Sequence, residues 1–172
     1  MSYLRWVNEV GAKHYWIDLQ LIRYVKPLLV LLISFGIADL AIKIFTHQND
    51  FAFAARIAMS VMLLFTSFGH FAFSRGMAMM LPASIPFRLT LVYTTGIIEI
   101  VAAIGLQIAS LRNPTGILLS IFFILVLPAN IYAAAKQIDY QTAKRDGKGF
   151  TYLWFRIPLQ ILFIIWTWIS VR

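Results

Sequence analysis

Apolar residues run almost without a break through five windows of the chain: about Pro27 to Phe45, Phe51 to Phe73, Phe87 to Ser110, Pro114 to Ala135, and Phe150 to Val171. Each window is close to the ~20 helical residues that cross roughly 30 Å of hydrocarbon. The pattern predicts an all-α, polytopic transmembrane helical bundle. A tail of residues 1–26 precedes one membrane domain, residues 27–172, with five spans. The first window contains Asp39 and Lys43, four apart on one helix face, where they can pair or reach neighbouring groups. Punctuation fits the boundaries: Pro27 opens the first helix, Pro82 and Pro86 stiffen a loop, Asn113-Pro114 starts the fourth helix, and Gly147 with Gly149 relaxes the last loop. A three-residue link from Leu111 to Asn113 predicts an antiparallel hairpin of the third and fourth spans.

Polar residues inside the other four windows are the exceptions that carry information. His70, Glu99, Asn130, Arg156 and Gln160 all sit where a buried polar or ionisable group is costly, so they are the candidate pocket residues. At 1.5 Å of rise per residue they fall roughly 7 to 17 Å below one interface, so four helices feed one polar layer. Each also has a purely structural reading. His70 can bond a backbone carbonyl, Glu99 can pair with Arg156, and Asn130 can satisfy the carbonyl that Pro128 leaves free. Ser67, on the face of His70, is expected to bond back to its own helix. Gly96 and Gly105 permit close packing or ligand approach on the third span. Met59, Met62, Met77, Met79 and Met80 predict adaptable apolar walls around the layer. A cavity of that kind suits a hydrophobic ligand with one polar head.

Composition confirms lipid as the solvent, because 60% hydrophobic residues exceeds the ~45–50% of ordinary globular chains. The charge sum is +8, from 15 Lys and Arg against 7 Asp and Glu. Such a balance would suggest nucleic acid in a soluble protein, but here it orients spans. With five of them, the tail and the loops holding Arg75, Arg88, Lys136, Lys144, Arg145 and Lys148 share one side. The positive-inside rule then puts the N-terminus in the cytoplasm and the C-terminus outside, in a bacterial-type cytoplasmic membrane. The tail lacks an apolar core and cleavage site, so it does not read as a signal peptide. Trp6, Val7, Val10, Tyr15, Ile17, Leu21 and Tyr24 among charges predict an amphipathic interfacial helix.

The chain has no cysteine, which excludes disulfides, thiol relays and cysteine-ligated metal. His14, His47 and His70 are scattered, so neither a metal site nor bis-histidine haem is expected. No phosphate-cradling glycine loop and no complete catalytic set are visible, which favours a non-enzyme.

The run from Ser67 to Gln160 resembles the DoxX-like family of small membrane proteins. The matching elements are Gly69-His70-Phe71, Pro82, Gly96 with Glu99, Pro128-Ala129-Asn130, and Leu153 to Gln160. The resemblance implies a four-helix core, here the second to fifth spans, with the first as an addition. Members of the wider group include a subunit of a thiosulfate:quinone oxidoreductase and a receptor-assembly chaperone, so the resemblance implies fold better than activity. Three functions follow as expectations. The first is an accessory or assembly protein that binds membrane lipid, a membrane partner protein or a second copy of itself. The second is the membrane subunit of a quinone-linked oxidoreductase, with quinone as cofactor. The third is a small proton-coupled transporter.

Overall fold

The computed structural model describes residues 25–172, and the amphipathic segment expected between Trp6 and Tyr24 lies outside the described residues. The helices are α1 (Val25–Thr46), α2 (Phe51–Ala72), a short α3 (Ser74–Met79), α4 (Arg88–Gly105), α5 (Arg112–Ala135) and α6 (Phe150–Ser170). All but α3 are long and apolar enough to cross a membrane. Their starts follow local chemistry. The carboxylate of Asp50 accepts the Phe53 N–H at 2.8 Å and caps α2. Phe87 enters α4 from a left-handed turn at φ 54°, and Gly149 enters α6 at φ 59°. Pro128 and Pro158 lie inside α5 and α6, which membrane helices tolerate when neighbours satisfy the freed backbone.

Large side chains such as Phe68, Leu118, Leu125 and Trp154 face outward, while small ones face the helix contacts. Ala54, Ala55, Ala58, Ala102 and Ala103 are all buried between α2 and its partners. Lipid offers no hydrophobic drive for helix association, so close backbone approach and interhelical hydrogen bonds must supply it. Ser60 Oγ donates to Ala103 O at 2.8 Å and Ser67 Oγ to Gly96 O at 2.9 Å, which bolts α2 to α4. Ser67 thus bonds the neighbouring helix, not its own, because Gly96 brings that backbone within reach. Trp166 Nε1 donates to Ala55 O at 3.1 Å and joins α6 to α2. On the outside, α1 leans on this core through the fully buried Leu31 and an edge-to-face contact of Phe35 with Trp166 at 5.2 Å.

A side chain at Gly96 would place its Cβ 3.0 Å from His70 Cβ and 3.2 Å from Phe71 Cε2. The glycine therefore serves helix packing. We expect Gly96→Ala to destabilise the bundle by about 1–3 kcal/mol, measured by thermal unfolding in mild detergent. Gly36→Ala is the control, since a methyl group there would meet nothing within 4 Å.

Two expectations need correction. The third span ends at Gly105, not Ser110, because Gly105 seats against Thr115 and the chain turns through tight N–H bonds from Gln107 to Ile104 O and Ile108 to Gly105 O. The connection is thus residues 106–111, and α4 and α5 do not form a close hairpin. Instead α4 packs on α2, α5 on α6, and α2 on α6, so α4 and α5 meet chiefly near Gly105 and Thr115. The loop after α2 also holds α3, whose Gly76 packs directly on the backbone of Tyr140. Asp39 and Lys43 share a face of α1, but no salt bridge joins them among the described residues.

Candidate functional site

The gap between α4 and α5 widens into a cavity of about 480 Å³, and all five predicted pocket residues line it. His70 comes from α2, Glu99 from α4, Asn130 from α5, and Arg156 with Gln160 from α6. The convergence follows from helix periodicity. Thr95 and Glu99 share a face of α4, and Tyr152, Arg156 and Gln160 repeat every four residues on α6. Most of the wall is apolar, including Met62, Met77 and Met80; Met59 is instead fully buried in the core. At the end of the bundle that carries most of the basic residues, Tyr140 and Gln141 close it, and Lys26 and Pro27 approach from α1. Outward-facing Phe65, Phe68, Leu91 and Leu125 also line it, so the cavity reaches the lipid-facing surface.

The polar groups are incompletely matched. Thr95 Oγ1 lies 3.0 Å from His70 Nδ1 and donates to Val92 O at 2.7 Å. His70 Nε2 faces Glu99 Oε2 at 3.6 Å, beyond hydrogen-bond length. Asn130, with no exposed surface, accepts from the Tyr152 hydroxyl at 3.1 Å. Gln160 Nε2 donates to Phe123 O at 2.9 Å and ties α6 to α5. Six buried side-chain atoms among the described residues are left without a hydrogen bond, and four of them belong to residues lining the cavity: Glu99 Oε2, Asn130 Nδ2, Arg156 Nε and Gln160 Oε1. Two are acceptors and two are donors, and an unmatched buried polar atom costs about 1–3 kcal/mol. A group of four such atoms around one cavity is the arrangement that a polar ligand head would relieve.

The partners differ from those the sequence suggested. His70 meets a threonine hydroxyl and not a backbone carbonyl. Glu99 lies beside His70, and no salt bridge joins it to Arg156 among the described residues. Asn130 bonds Tyr152 and not the carbonyl freed by Pro128, because α6 carries the tyrosine alongside. Thr95 and Tyr152 were missed, although each stands four residues before a predicted pocket residue on the same helix. Among the described residues, no group of three or more His, Cys, Asp or Glu could hold a metal ion.

Fold and cavity together define a polytopic, all-helical integral membrane protein with a polar layer inside its bundle. Residues 59–171 match the domain of unknown function DUF8561, and the chain belongs to that family. The matched segment contains all five pocket residues and leaves α1 outside it. No curated protein and no solved structure matches the chain.

Proposed function

We propose that this protein is a membrane accessory or assembly factor whose cavity holds one lipid-like amphiphile, its polar head in the layer of His70, Glu99, Asn130, Arg156 and Gln160. The observation that carries the reading is the set of four unmatched buried atoms around a space of about 480 Å³. Because two of those atoms accept and two donate, the head that fits carries hydroxyl or similar oxygens able to do both. The apolar walls take the chain, and the outward-facing lining residues give it a route from the bilayer.

Within this reading a quinone is the second candidate, favoured by one observation: His70 Nε2 and Glu99 Oε2 stand together on the wall, where they can exchange protons with a ring oxygen. Electrons would then come from a partner subunit. The resemblance to DoxX-like proteins belongs to the same proposal, with α2, α4, α5 and α6 as the four-helix core. So does a cytoplasmic N-terminus, supported by Lys26, Arg75, Arg88, Lys136, Lys144, Arg145 and Lys148 at one end of the bundle.

Mass spectrometry of an organic extract, with an absorption spectrum of the same sample, tests the proposal on protein purified in mild detergent. One amphiphile at about one equivalent is the expected result, and Glu99→Gln should lower its retention about tenfold. Bulk lipid alone, unchanged by the substitution, would overturn it.

A further inference from the structure

The contacts of Thr95 fix where the protons of His70 lie. A threonine hydroxyl carries a single hydrogen. Thr95 Oγ1 stands 2.7 Å from Val92 O, which can only accept, so that hydrogen points to the carbonyl. The second contact of Oγ1, with His70 Nδ1 at 3.0 Å, is therefore one in which the ring donates. With Nδ1 protonated, a neutral imidazole would turn its bare Nε2 lone pair toward Glu99 Oε2 at 3.6 Å. Two lone pairs facing each other in a buried site repel, and one further proton removes the conflict, as an imidazolium facing a carboxylate or a neutral ring facing a carboxylic acid.

We infer that His70 and Glu99 together hold one exchangeable proton on the cavity wall, and that the ligand head presents an acidic oxygen, as in a phenol, enol or carboxylic acid, to that pair. The ligand class rests on the cavity reading; the proton does not. An oxygen beside the pair can hydrogen-bond both Nε2 and Oε2, although 3.6 Å is too narrow to admit an atom between them. Transfer moves a proton from Nε2 or Oε2 to a deprotonated ligand oxygen, and no electron changes hands. The pair then carries one net negative charge. The other titratable groups lining the cavity are Lys26 from α1, Arg156 and Tyr152 from α6, and Tyr140 from the segment after α5. Its two fixed cations, Lys26 and Arg156, favour that charged state. Glu99 and His70 thus act as a unit in which Thr95 is a positioning residue.

Nitrogen NMR of protein carrying ¹⁵N-histidine, reconstituted in lipid nanodiscs, reads the arrangement directly, with His70→Gln used to assign the signal. The expected spectrum has a protonated Nδ1. It comes either with a protonated Nε2, or with a bare Nε2 and an infrared carboxylic-acid band that Glu99→Gln removes. Thr95→Val should shift the ring toward the tautomer protonated only at Nε2. A wild-type ring with a bare Nδ1, or a bare Nε2 without the carboxylic-acid band, would overturn the inference whatever the organic extract contains. Because wild-type protein decides the matter, a variant that fails to fold leaves the test intact.

Discussion

Gly76→Val is expected to have the largest structural effect of any single substitution in the membrane domain, a loss of about 3 kcal/mol or more, with most of the protein failing to fold or aggregating on extraction. Gly76 lies in α3, and a Cβ there would fall on the carbonyl oxygen of Tyr140, a backbone group that cannot rotate away. Relief requires α3 and the segment around Tyr140 to separate. That segment is held on its other side by the Asp139 N–H bond to Lys144 O at 2.9 Å and by Gly147 N–H to Gln137 O at 2.8 Å, so it does not yield easily. Met77, Met80, Tyr140 and Gln141 all line the cavity, and separation would therefore open it at the basic end. Fluorescence-detected size exclusion and thermal unfolding in detergent check this. A monodisperse Gly76→Val protein with unchanged thermal stability would show that the contact contributes nothing.

The second large effect is functional. Arg156→Met should reduce retention of the bound amphiphile by roughly 10- to 100-fold, because a hydrogen bond to a charged group contributes about 1.5–3 kcal/mol and each 1.4 kcal/mol is a factor of about ten. Arg156 lines the cavity with its Nε unmatched, and no carboxylate reaches it at salt-bridge distance among the described residues. Arg156 still lies within electrostatic reach of Glu99, so a methionine of similar length gives up that longer-range attraction together with the cost of burying the charge, and the ligand-free protein should stay close to the parent in stability. Ligand retention thus falls while thermal stability changes little. A merely structural arginine would show thermal stability falling, with the extract unchanged per folded molecule.

How much of this was legible depends on which force sets each feature. Spans were legible because a run of apolar residues of the right length has one stable solution in lipid. Predicted and observed limits agree within two residues at nearly every end. The exception is the end of α4, where a glycine contact with Thr115 turns the chain early. That is a tertiary event with no periodic signature. The five pocket residues were legible for the same reason as the spans, since a polar side chain in an apolar run stands out. Their partners were not. A charge argument paired Glu99 with Arg156, yet backbone geometry set Glu99 against His70 by way of the close contact at Gly96. Thr95 and Tyr152 carried a weaker signal, because threonine and tyrosine are tolerated in membrane helices without a partner site.

The sequence by itself determined that this is an all-helical membrane protein, how many helices are fit to cross, and which side chains lipid would reject. Those properties follow from the transfer of single residues and segments between water and hydrocarbon. Only the tertiary structure decided that α4 and α5, neighbours in the chain, separate to leave a cavity, and which hydroxyl, carboxylate and imidazole meet across it. Those outcomes depend on where glycine and alanine let particular backbones touch, a property of pairs of helices that no single segment contains.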